Sequence, residues 1–354
     1  MRILADATLP HLSSLFKAPF GLTLYKTPNE IPAFLHDHDI LLCRSTLRVN
    51  ATLLAKSTVQ CVATASSGID HIDSEYLQKN KITLFDAKGC NARSVADYVV
   101  ATLAYLYQQN KVKGRKAGII GVGAVGTCVI ARLQAIGFNV ICFDPFKEKT
   151  DTTFQYCTLN DLATCDVLCV HANLHHTQPY PSANLLEDSF LSSLKPNTVI
   201  INAARGGIVN EEALLNQTFP LTYCTDVYSE EPKINAKVVE LATLCTPHIA
   251  GHSIEAKNMA VIKISQQLHA YYGVPMPRFT LSREQAPLLS PRDDWKDCVA
   301  NLYSPLIDTC ILKSANNKTH AFLTQRQAHT TRHDFAFYDT RQLTQQVRAI
   351  LANP

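Results

Sequence analysis

Between Lys116 and Asp144 the sequence reads KAGIIGVGAVGTCVIARLQAIGFNVICFD. An apolar run at 117–120 enters a glycine-rich turn. A helical segment with Val129, Ile130 and Leu133 leaves it, and a second apolar run at 139–143 ends in Asp144. Strand, glycine turn, helix and strand in this order dictate a parallel βαβ unit. The turn is Gly121-Val-Gly123-Ala-Val125-Gly126, and each glycine has a separate physical reason. Gly121 permits a tight turn, Gly123 lets backbone approach a pyrophosphate, and Gly126 lets the helix pack close to its strand. The helix N-terminus adds N–H donors and a positive dipole.

Asp144 lies eighteen residues after Gly126. Its carboxylate suits a ribose diol and repels a 2′-phosphate, and Pro145 follows where an NADP site would offer a cation. The expected cofactor is NAD rather than NADP.

The remaining chain is arranged around this unit. Before it, strand candidates at 2–5, 40–43, 60–63 and 83–85 alternate with helical segments, a second parallel-sheet pattern. A long helix starts near Cys90, with Asn91 or Ser94 as cap. Ser94 and Asp97 have capping-box spacing, and Val95, Val99, Leu103 and Leu106 form its apolar stripe. A further helix at about 254–272, ended by Gly273, returns to the first domain. The expected domains are 1–93 completed by 254–275, 94–253 for the cofactor, and a module at 279–354. In that module Ser290 and Pro291 read as a helix start. A final helix near 340–352 shows Leu343, Val347, Ile350 and Leu351 on one face. About seventy residues make a marginal core alone, so the module is expected to pack against something, with a second copy the candidate.

Bulk properties narrow the partners. A net charge of +3 over 354 residues gives no case for nucleic acid or a membrane surface. No apolar run is long enough to span a bilayer, and MRILADATLP reads as a first strand rather than a signal peptide. The twelve cysteines lie mostly in apolar segments, with no Cys-x-x-Cys pair. Reduced thiols in a cytoplasmic protein are expected, with no metal site.

Three later strands each end near an ionisable group. VIINAARGG at 199–207 delivers Arg205, DVYSEEP at 226–232 carries Glu231, and His248 follows LCTP. The carboxyl ends of strands in a doubly wound sheet line the ligand crevice, so these groups are expected to converge there. An Arg, a carboxylate and a His suffice to oxidise a hydroxy acid. Arg205 holds the substrate carboxylate, His248 takes the hydroxyl proton, and Glu231 orients the imidazole. Glu230 is the alternative carboxylate. His248 and His252 are spaced like a metal pair, but Pro247 and Gly251 argue against the helix that pairing needs.

The chain resembles the D-isomer-specific 2-hydroxyacid dehydrogenases over roughly residues 1–275. The resemblance is carried by SSGIDHID (66–73), GVGAVG (121–126), SLKPNTVIINAARGGIVNEEAL (193–214), DVYSEEP and TPHIAGHS (246–253). It implies Arg205, Glu231 and His248 as the catalytic trio. It implies a cofactor site lined by Asp144, Ala172, Ala203, Ala204, Asp226, Gly251 and His252. Ala172 and His252 stand where Thr and Tyr are expected.

Within the family, CRSTLRVN (43–50), CNARSVADYV (90–99), TPHIAGHSIEAK (246–257) and the appended module resemble members acting on 4-phospho-D-erythronate on the way to pyridoxal 5′-phosphate. That likeness implies substrate contacts at Ser45 and Ser66, and a module that makes a homodimer. A phosphate also needs cations beyond Arg205. Arg44 and Arg93 are the candidates, with Arg48 an even choice between site and surface, while backbone N–H groups at Ser66, Ser67 and Gly68 suit a carboxylate. Members acting on phosphoglycerate, glyoxylate or hydroxypyruvate, and non-catalytic NAD(H)-sensing corepressors, are the competing readings. The expected fold class is α/β: a flavodoxin-like substrate domain, a Rossmann NAD domain and a small α+β C-terminal dimerisation module.

Overall fold

The computed structural model describes residues 1–281, 285–290, 294–329 and 332–352. The chain divides into two compact units, 1–91 with 253–285, and 92–252 with 286–354.

The first unit is built on five parallel strands in the order β2-β1-β3-β4-β5. They are β1 (Arg2–Asp6), β2 (Gly21–Tyr25), β3 (Ile40–Cys43), β4 (Cys61–Thr64) and β5 (Thr83–Asp86). This is the flavodoxin-like order. The interior strands β3 and β4 are buried at every residue, as strands covered on both faces require. Strand β2 was not among the sequence-derived strands. It lies at the sheet edge and is partly exposed, so GLTLY lacks the apolar run that marks an interior strand. The helix Ile254–Tyr271 closes this unit. Ser253 caps it by accepting the Ala256 N–H, and Ala260, Val261, Ile264 and Leu268 pack into the core with Ile3, Ile40 and Cys61.

The second unit holds six parallel strands in the order β11-β10-β9-β8-β6-β7. They are β6 (Lys116–Ile120), β7 (Asn139–Phe143), β8 (Val167–Val170), β9 (Val199–Asn202), β10 (Thr222–Thr225) and β11 (Leu244–Cys245). Beyond β7 a single parallel bridge joins Cys142 to Tyr156. It stands where a Rossmann sheet has its third strand, so that strand is reduced here to one residue pair. No helix among the described residues is long and apolar enough to cross a membrane.

The helix Ala92–Gln108 is buried nearly all round rather than along one stripe. Ser94 and Asp97 do not form a capping box, because both lie inside the helix and look toward other elements. The Ser94 hydroxyl donates to Asp334 at 2.6 Å, and Asp97 pairs with Arg132. Asp97 also accepts the Phe335 N–H at 2.8 Å and lies 3.6 Å from Arg332. Its side chain is fully buried, and Arg132 is only 2% exposed.

The C-terminal residues join the second unit's core. Cys298, Val299, Phe335, Leu343, Val347, Ile350 and Leu351 share a cluster with Val99, Leu103, Val129 and Leu133. This part is helical: Trp295–Leu302, Leu306–Ser314, Lys318–Ala328 and Gln345–Ile350. The β component expected there amounts, among the described residues, to one bridge between Leu288 and Asp339. Of the expected helix start at Ser290, Pro291 lies outside the described residues, and the helix itself begins at Trp295 with Asp294 as cap. The last helix is shorter than expected and is capped by Thr344.

Asp97→Ala leaves Arg132 and Arg332 without their shared carboxylate. It should cost about 3–5 kcal/mol of stability in urea or thermal unfolding; a loss below about 1 kcal/mol would show the cluster to be incidental.

Candidate active site

In the second unit every candidate group except the helical Arg93 lies past the carboxyl end of a strand. The glycine turn follows β6, Asp144 follows β7, and Ala172 lies just beyond β8. Ala203, Ala204 and Arg205 follow β9, Asp226 follows β10, and His248, Gly251 and His252 follow β11. The chain reverses its direction of travel across the sheet between β7 and β8, so β6 and β8 flank the topological switch point.

The three glycines of the turn play different roles. Gly121 has φ +89°, and a Cβ there would meet the Ala172 N at 2.5 Å. A Cβ on Gly126 would meet the Gly121 carbonyl oxygen at 2.2 Å, whereas one on Gly123 would meet nothing within 4 Å. Gly121 and Gly126 are thus required by the fold. Gly123 faces open space at the N-terminus of the helix Ala124–Ile136, which is the vacancy a pyrophosphate needs. Asp144 accepts the Val122 N–H at 2.8 Å and the Lys147 N–H at 3.0 Å, holding the turn while presenting its remaining lone pairs. The residues present fit NAD.

Arg205 is placed by a residue the sequence reading did not single out. Asn202, 1% exposed, donates from its amide to the Arg205 carbonyl at 3.0 Å and accepts the Ala204 N–H at 3.2 Å. The Arg205 guanidinium donates to the Ala204 carbonyl at 2.7 Å. Gly206 follows because a Cβ there would lie 1.9 Å from the Tyr228 carbonyl oxygen. The Arg205 turn and the Glu231 turn therefore touch, backbone to backbone.

Glu231 and His248 form a pair. Glu231 Oε2 lies 2.7 Å from His248 Nδ1, and Oε1 accepts the Tyr228 N–H at 3.0 Å. With the carboxylate accepting, Nδ1 carries the proton and Nε2 is the ring nitrogen not engaged by Glu231. Burial pushes the Glu231 carboxyl up. The His248 charge and hydrogen bond, the Tyr228 N–H and Arg326 outweigh it and hold the carboxyl below its ordinary value. Glu230, the alternative, is exposed and makes no such contact among the described residues. His248 itself has φ 57°, a left-handed conformation that costs a non-glycine residue energy and that something must enforce.

Asp226 enforces it. Its carboxylate is 1% exposed and takes the Thr246 hydroxyl at 2.7 Å and the Ile249 and Ala250 N–H groups at 2.8 Å each. Burial raises its carboxyl, opposed by the His248 charge and these donors. The Tyr98 hydroxyl, 2.8 Å from the Thr246 hydroxyl, extends the bracket. Arg332 donates to the Ala250 carbonyl at 2.9 Å, and the His252 ring stacks at a tilt 5.7 Å from that of His329. The C-terminal residues therefore line the far side of the His248 loop.

In the first unit, Arg44 and Ser45 follow β3, and Ser66, Ser67 and Gly68 lie just past β4, its neighbour in the sheet. Arg44 Nε is 3.0 Å from Asp6, which is buried and also accepts from Thr8. Ser67 Oγ accepts the Gly89 N–H at 3.1 Å. Lys257, another residue the sequence reading passed over, feels Arg44: burial and then the Arg44 charge lower its affinity for a proton. Arg48 is exposed, and so is Arg93, which belongs to the first turn of Ala92–Gln108 in the second unit.

Gly123→Ala should leave the unfolding midpoint within about a degree of wild type yet weaken NAD binding at least about tenfold, because its Cβ occupies ligand space. Gly206→Ala should do the reverse to the fold, costing about 1–3 kcal/mol by pushing on the Tyr228 carbonyl. Calorimetry with and without NAD separates the two; equal destabilisation by both would contradict the assignment.

A profile of the D-isomer-specific 2-hydroxyacid dehydrogenase NAD-binding domain matches residues 95–250. Erythronate-4-phosphate dehydrogenase of Legionella pneumophila (strain Philadelphia 1) is 54% identical over 96% of both chains. The protein of that name from Coxiella burnetii (strain RSA 331) is 38% identical over 77% of this chain and 75% of its own. Among solved structures, NAD-bound 3-phosphoglycerate dehydrogenase from Entamoeba histolytica superposes with a TM-score of 0.66 at 22% identity, covering 80% of this chain and 98% of that one. NAD-dependent formate dehydrogenase from Staphylococcus aureus gives 0.62 at 20%, covering 77% and 96%. These two share the fold. The identity to the first relatives extends along the C-terminal helices as well as the dehydrogenase core, and this chain belongs to the D-isomer-specific 2-hydroxyacid dehydrogenase family, among the proteins named erythronate-4-phosphate dehydrogenase.

Proposed function

We propose that this NAD-dependent dehydrogenase oxidises 4-phospho-D-erythronate to (R)-3-hydroxy-2-oxo-4-phosphobutanoate, a step toward pyridoxal 5′-phosphate. One observation carries the reading: the Glu231–His248 pair stands beside the Arg205 turn at the cofactor end of the sheet. The 54% identity to a relative of that name supports the substrate.

Bound NAD supplies the hydride acceptor. Arg205 holds the substrate carboxylate and draws charge from the C2 oxygen. As the C2 hydrogen leaves as hydride, His248 Nε2 takes the hydroxyl proton, and the C2–O bond becomes a carbonyl. Glu231 keeps the ring oriented and stabilises its charged form. The 121–126 turn cradles the pyrophosphate and Asp144 accepts from the ribose. Ala172, Ala203, Ala204, Asp226, Gly251 and His252 line the remaining cofactor surface. Ser45 and the residues at 66–68 contact the acid. Arg44 and Lys257 supply phosphate contacts: burial and then the Arg44 charge disfavour the Lys257 cation, and a bound dianion would favour it. Arg93 is a further phosphate candidate. The reduced thiols suit a cytoplasmic enzyme.

The protein acts as a homodimer in this reading. Ile307 is 69%, Ile311 49% and Leu323 50% exposed, a C-terminal apolar surface that a second copy would cover.

NADH formation with 4-phospho-D-erythronate, run beside 3-phosphoglycerate, D-lactate and D-glycerate, tests the substrate. A 2-oxo acid is added in a second set to accept electrons if NADH stays bound. Preferential turnover of a different acid would overturn the reading. His248→Asn should lower kcat about 10²–10⁴-fold. Arg44→Met should raise KM about tenfold or more while NAD affinity holds. For assembly, Ile307→Glu with Ile311→Glu should halve the sedimentation-equilibrium mass; a wild type that is monomeric at micromolar concentration would end that part.

A further inference from the structure

We propose that Arg326, on the C-terminal helix Lys318–Ala328, is a positioning residue for the acid–base pair: its guanidinium shares the Glu231 carboxylate with His248 and so sets how firmly that carboxylate holds a proton on the imidazole. The proposal rests on the reading of His248 as the base.

Arg326 Nη1 lies 3.8 Å from Glu231 Oε2, the same oxygen that lies 2.7 Å from His248 Nδ1. All three side chains are between 22% and 29% exposed, so the charges are neither fully screened nor fully buried. The helix is fixed on this turn. Phe322, 2% exposed, packs edge-on to Tyr228 at 6.0 Å, and Tyr228 donates its N–H to the other oxygen of Glu231. Asn317 caps the helix start, and Gln325 donates to the Asp308 carbonyl at 3.0 Å.

The chemistry explains why a second cation is useful. In the oxidation His248 must begin neutral and end protonated. A carboxylate with the imidazole as its sole partner favours the protonated ring before substrate arrives, which blocks the base. A permanent cation on the same oxygen divides the carboxylate's charge. It weakens the pull on the ring proton and keeps Glu231 ionised, so the proton resides on the imidazole rather than the carboxylate. Other groups face the pair. Asp226 lies behind the His248 loop and acts on the ring charge. Glu211 accepts the Ser229 N–H at 2.8 Å on the Glu231 turn. The Tyr228 phenol is turned to the Thr246 carbonyl, and His252, His329 and Asp308 lie on the C-terminal side. Of the ion pairs Glu231 makes among the described residues, the one with Arg326 brings a charge that does not titrate.

Arg326→Met keeps the packing stem and removes the charge, and Arg326→Lys keeps the charge. Carbethoxylation of His248 by diethyl pyrocarbonate, followed by peptide mass across a pH series, reads the neutral imidazole without any substrate. The Met variant should move the midpoint to higher pH, lowering the His248 rate at the wild-type midpoint about threefold, the size of one screened charge at close range. The Lys variant should follow wild type. The acidic limb of kcat/KM for the oxidation should move the same way, with NAD affinity unchanged. Profiles of the Met variant that superimpose on wild type, even with lower activity, would overturn the proposal and leave Arg326 a packing residue. A wild type whose His248 titrates normally but which oxidises none of the acids would count against the proposed function instead.

Discussion

The second unit's site depends on Asp226. One buried carboxylate gathers a hydroxyl and two backbone N–H groups from the segment 246–250, and that gathering forces His248 into a left-handed conformation. Exposed turns hold Lys81 and Asn110 in the same region, but at His248 the conformation is fixed by these buried contacts. Once it is kept there, the imidazole meets Glu231, whose other oxygen is fixed by Tyr228. Tyr228 in turn accepts the close approach of Gly206, which sets the turn that carries Arg205. A chain of short, local contacts thus registers three strand ends against one another.

The C-terminal residues belong to this arrangement rather than standing apart from it. Arg332 reaches the Ser94 carbonyl at 2.7 Å and the Ala250 carbonyl at 2.9 Å, stacks over Tyr303, and shares Asp97 with Arg132. Arg132 lies on the helix that begins at the glycine turn. One buried ionic cluster therefore ties together the glycine-turn helix, the helix Ala92–Gln108 and the loop after β11.

Much of this was legible in the sequence, for identifiable reasons. Parallel strands buried on both faces read as apolar runs, so β1, β3, β4 and β6 could be found directly, and β7, though partly exposed, keeps the apolar run VICF. The half-exposed edge strand β2 could not, and the third strand of the Rossmann half is too short to leave a pattern. Arg205, Glu231 and His248 were visible because each is an ionisable residue just past an apolar run. Asn202, Lys257 and Arg326 were not. Asn202 works through amide geometry, and the other two lie on helix surfaces, where a basic residue carries no local signal. Ser94 and Asp97 misled for the opposite reason: their spacing fits a cap, but tertiary partners more than two hundred residues away claim both side chains.

The placement of Arg332 and Arg326 has a consequence for biosynthesis. The nucleotide fold, with its strands and glycine turn, is complete in sequence before residue 260 leaves the ribosome. The Ala250 carbonyl and the Glu231 carboxylate gain their guanidinium partners only after some seventy further residues have been made. A chain cut short before residue 326 would lack both charges beside the Glu231–His248 pair, along with part of the core that backs the sheet. The charges around the site are thus set in part by helices made well after its strands.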